Sequence, residues 1–314
     1  MAAEGLIAMR IEIVPIERDL LGEAPVWDDR IGTLYWADQL GRKVRAYDPV
    51  SGGVRDWAMP DVVGCVVPTD DIGKLLVAQP ERYVLLDLAT GGVETFVTIA
   101  QPRPGVRLND GRCDRAGRLI GGSVTTDGGE AAGRIWRVSG DGRIELLREN
   151  MVIVNAICCN AAGDAIYYAD SREGLVYTRQ CDPQSGALSK ETVFADVRPH
   201  GGVPDGATVD AAGGVWIAQI MRGHILRFAP DGTLDRDIEM PCPHVSSLAF
   251  GGADLETLYV TSVRETGMLI SSDHPGAGGL FAIHDLGVRG IAEGRFALPS
   301  QARATQTNTG DIRQ

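Results

Sequence analysis

The chain has 314 residues, is 44% hydrophobic with 40 glycines and 16 prolines, and carries a net charge of −12. That acidity argues against nucleic acid and anionic membrane surfaces as partners, and no apolar stretch approaches the length of a membrane span. The length allows a large buried core without staples, and the six cysteines (Cys65, Cys113, Cys158, Cys159, Cys181 and Cys242) form no CxxC pair, which fits a reducing cytoplasm rather than a disulfide framework.

The N-terminus, MAAEGLIAMRIEIVPI, has an early acidic residue and no long apolar run, so it reads poorly as a signal peptide. Its RIEIVPI segment, residues 10–16, predicts a strand that precedes the first repeat and closes the last one. Next comes DDRIGTLYWADQLGRKVRAYDPVSGGV, two apolar runs bounded by Asp/Gly turns. The same grammar returns as DDIGKLLVAQPERYVLLDLATGGV, DRAGRLIGGSV…GRIWRVSGDGRI, NAAGDAIYYADSREGLVYTRQCDPQSGAL and DAAGGVWIAQIMRGHILRFAPDGTL. A weaker sixth copy is GADLETLYVTSV…GGLFAIHDLGV. The opening glycines Gly32, Gly73, Gly117, Gly163 and Gly213 lie 41 to 50 residues apart. Runs of five or six Val, Ile, Leu and Tyr residues between such turns are strands, and helical periodicity is absent. Four strands per repeat of this length make one propeller blade, so the chain is expected to be all-β, a six-bladed β-propeller filling residues 1–298 as a single domain. A β-sandwich needs no such period, and a β-helix repeats over a shorter one. Residues 299–314 lack apolar periodicity and are expected to form a disordered tail.

Residues at one phase of the repeat occupy equivalent places around the axis. Eleven or twelve positions before the second residue of each LYWAD-like run stand Glu23, Asn109, Asn155 and Asp205, with Cys65 and Ser247 in the second and sixth blades. Four oxygen-bearing side chains are thus expected at the entry to innermost strands and at one channel mouth, with Asp110 beside Asn109. Asp and Asn singly make turns before strands, their commonest use. Four in phase favour an oxygen-rich site for calcium, magnesium or manganese.

These residues sit in GEAPVWD, LYWAD, RLNDG, VNAI, VPDG and AFGGADLETLYVTS. In this order and spacing the chain resembles the SMP-30/gluconolactonase family, which includes regucalcin, over residues 14–285. The resemblance implies a six-bladed propeller with one divalent metal (calcium, magnesium, manganese or zinc) and hydrolysis of a small-molecule sugar lactone. It implies Glu23, Asn155 and Asp205 as metal ligands, Asp205 also as the catalytic acid/base, and Arg107, Asn109 and Asp127 as substrate-binding residues. Ala24 and Ala156 stand where the family usually has glycine, and neither change removes a ligand.

No GxSxG elbow, HExxH or HxH spacing, or glycine-rich phosphate loop is present. His200 lies near Asp205 in sequence and reads more readily as a loop histidine, while Trp27, Trp36 and Trp216 read as inter-blade packing. Two alternatives stay open: another metal-dependent esterase or organophosphate hydrolase, which an apolar pocket would favour, and a non-catalytic metal-binding scaffold, which a lactonase assay would separate. The protein is expected to be a cytoplasmic monomer or small homo-oligomer.

Overall fold

The structure, a computed structural model, describes residues 9–267 and 269–299. The proposed tail therefore lies outside the described residues, apart from Pro299. Six four-stranded antiparallel sheets form a closed ring, and five of them run outward from the axis in sequence order, the sixth taking its outermost strand from the N-terminal segment. The innermost strands are Gly22–Asp28, Val66–Pro68, Val106–Cys113, Val154–Cys159, Val203–Val209 and Val245–Gly251. They neighbour one another around the channel. The one helical element among the described residues is a single 3-10 turn, Arg198–His200.

As the sequence predicts, the Arg10–Ile13 strand pairs antiparallel with Phe281–His284 and becomes the outer strand of the sixth blade. First and last segments thereby share one sheet, which closes the ring with backbone hydrogen bonds. The core lies between blades. Trp36 and Trp216 are fully buried there, and each indole N–H donates to a carboxylate, Asp19 and Asp210 respectively, at 2.8 Å. His200 rests beside Phe228 with ring centroids 6.2 Å apart, a packing contact.

Residues 285–298 are irregular and have no counterpart in the repeat. They form a strap across the C-terminal ends of the inner strands. The Leu255 carbonyl accepts the Gly290 N–H at 2.7 Å, and the Arg289 carbonyl accepts the Ala211 N–H at 2.8 Å. Ile291 packs on the core shared by the fourth and fifth blades. Arg295 pairs with Asp29, and the Phe296 and Ala297 N–H groups donate to Pro68 and Gly117 carbonyls at 2.8 and 2.9 Å. All six blades are thus tied together at the end of the channel opposite the strand entries. Gly294 is required here, because a Cβ would stand 2.5 Å from the Asp114 carbonyl oxygen and 2.6 Å from that of Cys113.

Phe296 anchors the strap. It is fully buried and meets Phe96 edge-on at 5.2 Å. Phe296→Ala is expected to lower unfolding stability by about 3–5 kcal/mol, the usual cost of emptying a buried aromatic site. Denaturant titration checks this; a loss below about 1 kcal/mol would show that the strap contributes little to holding the ring.

Candidate active site

Inner strands of a propeller are straight unless something re-aims them. Five of the six carry a one-residue bulge near their N-terminal ends: between Glu23 and Val26, Leu108 and Gly111, Asn155 and Cys158, Pro204 and Ala207, and Val245 and Ser247. An extra residue bends the strand and redirects a side chain. Glu23, Asn109, Asn155 and Asp205 all sit at these bulges. The bulge conformation is costly for a side chain at two of them, where Ala24 and Ala156 have φ of 47° and 55°. These are the two positions at which the related motifs carry glycine, and a left-handed alanine costs roughly 1 kcal/mol.

The strand register refines the phase in the sixth blade. Val245 pairs with Ser262 as Val154 pairs with Asp170, so Ser246 rather than Ser247 is the equivalent of Asn155. Its hydroxyl donates to the Gly22 carbonyl at 2.5 Å, so it serves the blade junction.

The other in-phase side chains form one connected cluster. Asn109 Nδ2 donates to Asn155 Oδ1 at 2.8 Å and to the Val154 carbonyl at 3.2 Å. Asn155 Nδ2 donates to Asp205 Oδ1 at 2.7 Å and to Ser171 Oγ at 2.9 Å. Arg107 reaches Asn109 Oδ1 at 3.3 Å and is braced by Gln39 Oε1 at 3.1 Å. Glu23 joins through charge: Asp205 and Asp110 both act on it or are acted on by it. Asn109, Asn155 and Asp205 are 9%, 7% and 5% exposed, so the cluster is nearly dry but open at one side.

Electrostatics here are adverse without a cation. Burial, and then the Asp110 charge, push Glu23 up to about 8, against the Ala24 N–H and Arg107 that hold it down. Burial raises Asp205 well above the carboxylate range, with Glu23 and Asp110 adding to it. Burial also raises Asp110, although Arg112 and the Ile157 and Gly111 N–H groups oppose this. The two arginines do not neutralise the group by contact. Arg112 donates to the Pro25 and Leu248 carbonyls at 2.6 and 3.3 Å, and burial lowers Arg107 to about 10, still cationic at neutral pH. Among the described residues no three Cys, His, Asp or Glu side chains are arranged around a metal. The oxygens that could hold an ion are instead those of the Glu23 and Asp205 carboxylates and the Asn155 amide. Hard divalent cations take such oxygen donors, and a positive ion would relieve the carboxylate crowding, so the residues fit one.

Asp127 stands apart. It is exposed, and Arg103 grips both of its oxygens, which with the Gly129 N–H holds it down to about 2. No hydrogen bond joins it to the cluster. Gln39, Ser171 and Arg112 were not evident from the repeat phase. Gln39 and Ser171 each follow the Asp of a YWAD or YYAD run, so position after that run is the one signal that pointed to them.

The comparisons with known proteins show the family. The profile of the SMP-30/Gluconolactonase/LRE-like region matches residues 21–264. The chain is 32% identical over 288 residues to 6-deoxy-6-sulfogluconolactonase of Pseudomonas putida, covering 91% of this chain and 98% of that one. It is 33% identical over 287 residues to L-arabinolactonase of Azospirillum brasilense, covering 89% and 93%. A solved structure of the calcium-binding protein regucalcin from Agrobacterium tumefaciens superposes with a TM-score of 0.84 at 30% identity, covering 91% and 97%. With its repeat, its bulged inner strands and this match over most of its length, the chain belongs to the SMP-30/gluconolactonase/LRE-like family.

Proposed function

We propose that this protein hydrolyses sugar lactones to the corresponding aldonic acids, with one divalent cation held by Glu23, Asn155 and Asp205. The observation that carries the reading is the convergence of these three oxygen-bearing side chains beside Arg107 and Asn109 at one end of the channel. Relatives matching about nine-tenths of the chain that are named as sugar lactonases support it. The calcium-binding relative supports a hard ion, for which calcium, magnesium or manganese suit the oxygen donors better than zinc.

When bound, such an ion supplies electrophilic polarisation of the lactone carbonyl and acidifies water. The rest is the work of the chain. Asp205 takes a proton from the attacking water as the new C–O bond forms, and returns it to the ring oxygen as the ring C–O bond breaks. Burial and the neighbouring Glu23 and Asp110 charges favour its protonated form, and a cation in the site would offset them and keep Asp205 ionised to accept that proton. Arg107 presents N–H donors that orient ring oxygens and hydroxyls, whereas both Asn109 N–H groups are spent on Asn155 and Val154, so Asn109 offers a hydroxyl only its Oδ1 as an acceptor. Asp127 would reach a hydroxyl only by releasing a bond to Arg103. The polar lining favours a polyol over an aryl ester.

The test is a pH-indicator hydrolysis screen of aldonolactones on protein stripped of metal and reloaded with single ions. Hydrolysis of no lactone with any ion would overturn the reading. Within that assay, Arg107→Ala is expected to raise KM for a polyhydroxy lactone about tenfold, the worth of a hydrogen bond to a charged group. An unsubstituted lactone should be affected much less. Equal losses on both substrates would make Arg107 a structural residue.

A further inference from the structure

An asparagine offers a cation an oxygen on one side of its amide and repulsive N–H groups on the other, so its orientation decides whether it is a ligand at all. Three contacts bear on Asn155. Its contact with Asp205 is not decisive, because a protonated carboxyl could donate where a carboxylate accepts. Asn109 Nδ2 faces Asn155 Oδ1 at 2.8 Å and is itself held by the Val154 carbonyl. The third contact is independent of pH. Ser171 Oγ lies 2.7 Å from the Pro204 carbonyl oxygen, which can only accept, so the single hydroxyl proton is committed there. Toward Asn155, 2.9 Å away, Ser171 can therefore only accept, and the amide atom facing it must be Nδ2.

We propose that Ser171 is a positioning residue that sets the Asn155 amide so that its carbonyl oxygen is the atom offered to a cation. Both Asn155 N–H bonds are then used, on Ser171 and Asp205, and Oδ1 keeps one lone pair beyond that accepting from Asn109. The same bond joins the fourth blade to the fifth at Pro204, which is what commits the hydroxyl proton and leaves the oxygen to accept from Asn155. Ser171 is buried, 4% exposed. This inference rests on Asn155 being a ligand, as proposed above.

The test is titration calorimetry of calcium and manganese on metal-free protein, in a cycle of parent, Ser171→Ala, Asn155→Ala and the double variant, with Ser171→Thr as the conservative replacement. Thermal melting of each metal-free variant verifies the fold. Ser171→Ala is expected to weaken ion binding at least tenfold, the usual effect of removing a partner that orients a ligand. Ser171→Thr, which keeps the hydroxyl, should recover most of that loss. In the Asn155→Ala background, Ser171→Ala should change affinity by less than about twofold, because its effect passes through the missing amide. Unchanged binding in Ser171→Ala, or a loss that simply adds to that of Asn155→Ala, would overturn the proposal while leaving the ion site standing. Parent protein that binds neither ion would overturn the ion site and this proposal with it.

Discussion

Asp205→Asn is expected to lower kcat on a sugar lactone by roughly a hundredfold or more, the scale of losing general-base assistance. The shape of the side chain is kept, and an oxygen can still accept from Asn155 Nδ2, which now bonds Asp205 at 2.7 Å. What disappears is the proton acceptor. Burial and the Glu23 and Asp110 charges raise the proton affinity of this carboxyl in the ion-free site, and a bound cation would oppose that rise. Stability should not fall in step. The substitution removes one of three crowded carboxylates, so the metal-free variant is expected to melt at or slightly above the parent temperature. Activity must be compared at saturating ion, because a weakened site would otherwise imitate lost chemistry. A kcat within a few-fold of the parent under that condition would leave Asp205 as a ligand alone.

Metal removal is the second large effect: chelation should abolish hydrolysis and leave the propeller folded. The core lies between blades and the ring is closed by the Arg10–Ile13 strand and the 285–298 strap, none of which uses the cluster. The stripped protein should nevertheless show the strain of its carboxylates as a pH dependence. Glu23 has a folded pKa of about 8 against an ordinary value of 4.5. A carboxyl with a raised folded pKa is at its most favourable for the fold below its unfolded pKa. That advantage is lost as pH rises through the folded one. The stability of the stripped parent relative to Glu23→Gln is therefore expected to decline between about pH 4.5 and 8. Saturating ion should cancel the decline, since ligation favours the ionised carboxylate. Paired melting curves across that range check both statements. A flat difference curve would mean that Glu23 ionises freely and is not crowded as described.

Fold and site were legible in the sequence to different depths. Strand runs of Val, Ile, Leu and Tyr between Asp/Gly turns, repeated at 41 to 50 residues, dictate the blades, because local pleating and turn chemistry are short-range properties. Phase in the repeat brought out Glu23, Asn109, Asn155 and Asp205, because equivalent positions of a closed ring must face the same axis. It erred by one residue in the sixth blade. The hairpin after its inner strand is one residue longer, with seven residues between the paired Phe250 and Leu258 against six between Cys159 and Ile166, and only the strand pairing reveals this.

Other features depended on contacts between segments far apart in the chain, which no local pattern encodes. The strap has no period, and its partners Asp29, Pro68, Gly117 and Ala211 are spread over the whole ring. Gln39 braces Arg107 across 68 positions, and Ser171 meets Pro204 across 33, so neither pairing is visible until the ring is closed. The isolation of Asp127 is likewise tertiary: its charge is taken by Arg103, 24 residues earlier, through a turn whose geometry the motif does not specify. The sequence by itself determined the all-β repeat and which oxygen-bearing residues share a phase. Tertiary structure decided how those residues are aimed, which neighbours orient them and which charge is already spent, because direction and burial arise only when distant strands are packed against one another.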